Sequence, residues 1–219
     1  NINYYRSGDY FKFGEARNNH VSRFSVRGNV DVNISDDIKA WVNSNATFYD
    51  SSTAKGDYWG VASTMRPNFP QNAYPLIPKD MVDPHAKAAW DLLGVAKLID
   101  DKYFLAGSQA NPSSLFGDIY AAGKRKWTSR QFQFDTGLNI GLGKVLPGLS
   151  FETRFAVDYA TAYTTSFDNS YAVYIPTWSH HNGKDVIVGL KKEGEDKRSG
   201  NQNISGSTDN QTMLFAAQL

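Results

Sequence analysis

Two carboxylates and two histidines are the side chains here whose types come nearest to catalysis. Glu152 and Asp158 have the chemistry of a glycosidase pair, but both fall in a run that reads as one strand. Strand rise puts them about 20 Å apart, whereas such a pair works at roughly 5 to 10 Å. His180 and His181 are adjacent, yet two ligands do not make a metal site. No Cys and no suitably spaced third His joins them, since His20 and His85 are solitary. There is no Gly-x-Ser-x-Gly elbow and no phosphate-cradling loop, and Gly141 with Gly143 closes a strand instead of opening a helix. The chain therefore does not read as an enzyme, and no metal or cofactor is expected.

Binding chemistry is better represented. Tyr58, Trp59, Tyr74 and Trp178 fall in long irregular stretches. Such rings stack on the apolar C–H faces of sugars while Trp N–H and Tyr O–H meet ring hydroxyls. The same rings would also serve to pack those stretches together or to meet a partner protein. Trp90 is different, because it belongs to a helical apolar stripe and reads as packing. Arg23, Arg27, Asp31, Glu152, Arg154 and Asp158 recur at alternate strand positions. They would line a solute path or hold a plug, or else pair across strands as a ladder of ions.

The elements that carry these residues are strands with strict alternation. Phe24, Val26, Gly28, Val30, Val32 and Ile34 stand on one face against Arg23, Ser25, Arg27, Asn29, Asp31 and Asn33 on the other. After Ser35, Asp36 and Asp37 the phase resumes from Ile38 to Phe48. A second pair of runs follows, Phe132 to Leu142 and Leu149 to Tyr159. Because successive side chains alternate, each set is one surface. None of the apolar-face positions in the four runs is charged, whereas Lys39 and Asp135 join the six charges already named on the opposite face.

Run length and connection length decide what the apolar face meets. Each run lasts about 11 residues, close to the roughly 9 to 11 of a tilted membrane-crossing strand and about twice the common strand. Short turns at one end and long connections at the other are the asymmetry of outer-membrane barrels. The expected fold is all-β: an antiparallel transmembrane β-barrel segment of about five strands near 21–34, 38–49, 130–143, 149–163 and 211–219. Extracellular loops span 50–129 and 164–210. Phe24, Phe48, Phe132, Phe134 and Tyr159 would then form an aromatic girdle. Within the first loop, five of the eight prolines lie from Pro67 to Pro84, predicting turns and extended pieces. A short helix is expected next, capped by Asp83, with Pro84 in its first position and Ala86, Ala89, Trp90, Leu93 and Ala96 as its apolar stripe. The second loop opens on a strand extension at Tyr171 to Ile175 and turns polar from Lys191 to Asn210.

Composition fits this expectation without proving it. The mean hydropathy of -0.48 and the lack of an 18-residue apolar run exclude a membrane helix, but barrel strands are half polar. A net charge of +1 with no basic aromatic stripe gives no argument for nucleic acid. Zero Cys removes disulfides, thiol nucleophiles and thiolate metal sites. The opening on Asn1 and the alternating run ending at Leu219 lead us to expect a piece of a longer protein, because about eight strands are the fewest that close such a barrel.

The first 50 residues carry a pattern with a family likeness. The lead YYRSGDYFKFGEA is followed by SRFSVRGNVDVNISDDIKAWVNSNATF, in which Arg23, Arg27, Asn29, Asp31, Ile34 and Ser35 occupy distinctive places. This resembles the front of the barrel in SusC/RagA-type TonB-dependent transporters of Bacteroidetes. The resemblance implies a 22-stranded outer-membrane barrel with a plug, working with a SusD-like surface lipoprotein and the TonB complex to import oligosaccharides or oligopeptides. The plug and the TonB box are not among these residues. The alternative reading is a soluble or surface-attached all-β carbohydrate-binding or adhesin module, with the alternating faces as its core.

Overall fold

The computed structural model describes residues 1–57, 59, 74–110 and 112–219. Tyr58, Pro67 and Pro70 lie outside the described residues. Six antiparallel strands form one sheet whose spatial order is their order along the chain: β1 (Ile2–Gly8), β2 (His20–Ser35), β3 (Ile38–Ala54), β6 (Gly123–Gly141), β7 (Ser150–Asp168) and β10 (Asn203–Gln218). The alternation places apolar residues opposite apolar residues. Phe24 faces Phe48, Val30 faces Val42, Ile38 faces Ile140, Phe132 faces Tyr159 and Phe155 faces Phe215. A slip by one residue would move every such side chain to the other face, so this pattern fixes the register. The β2–β3 turn is only Asp36 and Asp37, and Lys144 from the other short turn bonds the Asp37 carboxylate.

Four strands are longer toward the long connections than the sequence suggested. β3, β6 and β7 run to 54, from 123 and to 168, so the long connections shrink to 55–122 and 169–202, and β10 starts at 203 instead of 211. These extensions are mostly polar on both faces, with Trp127, Phe167 and Ile204 as isolated apolar residues, so the contrast on which alternation depends fades. β1 was not foreseen either. Tyr4 and Tyr5 put an aromatic on each face, and the strand pairs only with β2.

The buried core sits in the connections and not on the sheet. Two short strands, β4 (Leu76–Pro78) and β5 (Tyr103–Leu105), pair with each other, as do β8 (Val173–His181) and β9 (Lys184–Glu193). Helix α1 (Lys87–Gly94) buries Ala89 and Leu93 against Ile77, Val82, Phe104, Tyr174 and Ile187, so the two long connections share one core. Trp90 packs against that core, as its place in the stripe predicts, and its indole N–H donates to the Asp83 carbonyl at 3.0 Å. Helix α1 begins later than expected. The Asp83 carboxylate accepts the His85 N–H at 2.8 Å, making a turn of residues 83–86, and the helix starts beyond it without a side-chain cap.

A second helix, α2 (Leu115–Ala121), starts at Ser114, whose hydroxyl oxygen accepts the Gly117 N–H at 3.0 Å. Tyr171 from the second connection donates its O–H to the Asp118 carboxylate at 2.6 Å. Burial pushes both the Asp118 carboxyl and the Tyr171 hydroxyl above their usual ranges, despite the opposing effect of the Tyr171 hydrogen bond on Asp118. The hairpin β8–β9 turns at Asn182 and Gly183, both at positive φ, the pairing that suits a two-residue turn.

Because Phe104 is fully buried where the two connections meet, Phe104→Ala should cost about 3 to 5 kcal/mol locally. Limited proteolysis should then cut within 74–110 and 169–202 sooner than in the wild type, while β2, β3, β6 and β7 stay protected.

Candidate functional site

The polar face of the large sheet gathers the chemistry. In one row across three strands, Trp41 of β3 faces Gly137 of β6, which faces Arg154 of β7. Gly137 leaves the space that its two neighbours use. A Cβ there would lie 2.3 Å from the Trp41 ring and 2.4 Å from the Thr153 carbonyl oxygen. Both neighbours then reach over it to Asp135, two residues along the same face. The Trp41 indole N–H donates to one carboxylate oxygen at 2.9 Å, and Arg154 Nε donates to the other at 2.6 Å with a second guanidinium contact beside it. One row further, Asn45 donates to the Gln133 side-chain oxygen at 3.1 Å.

Asn45, Gln133, Asp135 and Arg154 line a shallow groove with Arg27, Asn29, Asn43 and Asp158. Amide and carboxylate oxygens accept, while amide N–H and guanidinium groups donate, so the surface offers both halves of a hydrogen bond along its length. That suits a hydroxyl-rich or amide-rich solute. It offers no nucleophile beside a base, and among the described residues no three His, Cys, Asp or Glu side chains converge as a metal site would need. His180 Nδ1 instead bonds the Asp185 carboxylate across the β8–β9 hairpin at 2.8 Å.

The register puts Arg23, Arg27, Asp31, Glu152, Arg154 and Asp158 on this one face. It does not make them a ladder. Arg154 alone of the six forms an ion pair among the described residues, and its partner is Asp135. The others meet neutral neighbours: Arg23 faces Tyr5 and Tyr49, Arg27 faces Asn45, Asp31 faces Trp41, Glu152 faces Asn139 and Asp158 faces Gln133. Alternation assigns a face but leaves register between distant strands open. For that reason Trp41, Asp135 and Gln133 were missed as site residues.

The expected aromatic binders are not one cluster. Trp59 lines a recess beside Ser7, Tyr10, Phe11 and Thr53. Tyr74 precedes β4, and Trp178 lies in β8 opposite Ile187; both are exposed. Tyr58 lies outside the described residues. No protein-family model, curated protein or solved structure matches this chain.

Gly137→Val should destabilise the sheet by about 1 to 3 kcal/mol through overpacking. Adding Trp41→Ala should recover only part of the loss, because the Thr153 carbonyl is as near as the ring. Urea unfolding of both variants measures this; full recovery would show that the indole alone sets the limit.

Proposed function

We propose that this chain is part of the wall and outer loops of an outer-membrane, TonB-dependent transporter of the SusC-like kind. It imports oligosaccharides, or oligopeptides, with a SusD-like surface lipoprotein. The observation that carries the reading is the apolar face of the six-stranded sheet, which no other part of the described chain covers. Val30 keeps 55% of its surface and Val32 47%, although each faces an apolar partner, Val42 and Ala40. The other two sheets have two strands each, and the three buried clusters draw almost wholly on the connections. A soluble sandwich would need a second sheet on this face, and the described residues do not supply one.

The dimensions support lipid as the missing partner. About 11 residues at roughly 3.4 Å rise make a band near 37 Å along the strand, or about 26 Å tall at a tilt of about 45°. Barrel bands are about 25 Å tall. Tyr4, Phe24 and Phe48 form one row at its upper limit, with Phe132 and Tyr159 in the next, and the Phe24 and Phe48 rings are 6.0 Å apart. Charge returns to this face at that limit, with Arg130 in the row of Phe48, and continues just beyond it with Asp50 and Lys126. There Arg130 lies 5.6 Å over the Phe48 ring and pairs with Asp50 at 3.0 Å, with Lys126 on the same carboxylate at 3.2 Å. Aromatics at the boundary with charge outside it are the order a membrane interface favours.

On this reading β1 and β10, each unpaired on one side among the described residues, continue into further strands of the closed barrel. The polar face becomes the inner wall, and the amide-rich groove becomes part of the solute path.

Val42, midway along the band on the apolar face, and Asn43, its neighbour on the polar face, give a matched test. With the full-length protein in lipid vesicles, Val42→Arg should cost about 2 to 4 kcal/mol in urea unfolding, the penalty of Arg at a bilayer midplane. Asn43→Arg should change it by less than about 0.5 kcal/mol. Recovery of the native protein without detergent, together with equal tolerance of both substitutions, would end the proposal.

A further inference from the structure

A cleft of about 810 Å³ opens among the turn of residues 14–18, helix α2 and the segments around 97–100 and 196–198. It lies in the connections, apart from the polar wall. Three rings stack in series along it. Phe13 and Phe116 have centroids 4.9 Å apart and planes within 7°, and Phe116 and Tyr120 follow at 5.7 Å and 15°. Arg17, Lys97, Lys197 and Arg198 line the same cleft, all exposed.

Four cations, Arg17, Lys97, Lys197 and Arg198, line this cleft against three carboxylates, Glu15, Asp100 and Asp196. Elsewhere Lys55 pairs with Asp168, Lys126 and Arg130 share Asp50, and Lys191 meets Glu193. None of the four cleft cations has an ion-pair partner among the described residues. Of the carboxylates nearby, Glu15 is held by Lys124 at 3.3 Å, and Asp196 accepts the Ala172 N–H at 3.2 Å. Asp100 is the one left without a bond. The four cations outnumber the three carboxylates, so the rim keeps an excess of positive charge, and an anion placed among the unpaired cations is attracted there.

We infer that this cleft binds an acidic oligosaccharide, one bearing uronate carboxylates or sulfate groups. Its sugar rings lie along the apolar edge of the Phe13, Phe116 and Tyr120 stack, and its anionic substituents meet the two Arg and two Lys side chains. Arg17 and Arg198 can take a carboxylate or sulfate with two parallel N–H bonds each. The edges of the stacked rings make an apolar strip beside the cations, which suits the apolar C–H faces of successive pyranoses better than the polar backbone of an acidic peptide. The volume lies within the roughly 300 to 1,000 Å³ of ligand sites. This names a substrate class for the transporter reading without depending on it, since the cleft is built from the connections alone.

The test is calorimetric titration of the full-length protein with oligogalacturonate, a sulfated oligosaccharide, a neutral malto-oligosaccharide of equal length and a poly-glutamate peptide. Binding of at least one acidic glycan is expected, with no binding of the neutral one. Affinity should fall when salt is raised from about 0.05 M to about 0.5 M, where screening shortens from more than 10 Å to a few ångström. Lys197→Glu with Arg198→Glu should weaken binding roughly tenfold or more with an unchanged circular dichroism spectrum, and Arg17→Gln should weaken it less. Absence of acidic-glycan binding, equal binding by the double variant, or tighter binding of poly-glutamate would overturn the assignment. Detergent extraction of the same preparation reports separately on the transporter reading, so a soluble protein with an active cleft would sink only that reading.

Discussion

The rest of the structure depends on an apolar sheet face that no part of the described chain covers. Five strands at about 4.8 Å spacing, each with about 11 residues in the band, make a surface on the order of 1,000 Å². Soluble monomers rarely expose more than a few hundred Å² of contiguous apolar surface. At about 25 cal/mol per Å², removing this face from water is worth on the order of 20 kcal/mol, more than the whole net stability of an ordinary domain. No adjustment of loops or turns offsets a term of that size. The solvent of this face therefore has to be part of any account of the fold.

The sheet satisfies its backbone through its own strand pairing, and the meander is correspondingly regular. The β6–β7 pairing runs through 19 positions from Gly123 and Asp168 to Gly141 and Ser150 without a register shift. The irregularities are placed toward the ends: one by the β2–β3 turn at Asn33 and Ser35, one between Ser205 and Thr208 in the extension of β10. Between them the ladder is unbroken across the band. With no core against the apolar face, fine positioning falls to the polar face. There the row Trp41, Gly137, Arg154 ties β3, β6 and β7 together through one carboxylate, Asp135.

How much of this could be read from the sequence follows from the range of each signal. Alternation is local and strong, so β2, β3, β6 and β7 and the membership of their faces were legible from Phe24 to Tyr159. Pairing between strands eighty residues apart is not local, so alternation leaves open an ion ladder among the charged residues of the polar face that the register does not build. Asn182-Gly183 was a legible hairpin signal between β8 and β9 that the pattern of polar residues around it obscured. Helix α2 had only Ser114 to announce it. The shared core of the two long connections had no sequence signature at all, because Phe104, Tyr174 and Ile187 meet only once the sheet has brought residues 55–122 and 169–202 to the same end.

That shared core changes what the connections are. Long loops without internal packing would sample many conformations and could hold no fixed arrangement of side chains. Here Val82 pairs with Ile187, Ala106 pairs with Tyr174, and Tyr171 fastens α2 to the second connection through Asp118. The wall consequently needs no core of its own, while the connections have one. The part with a packed core of its own is thus the part the alternation left blank, and it stands at the end of the sheet where the long connections lie.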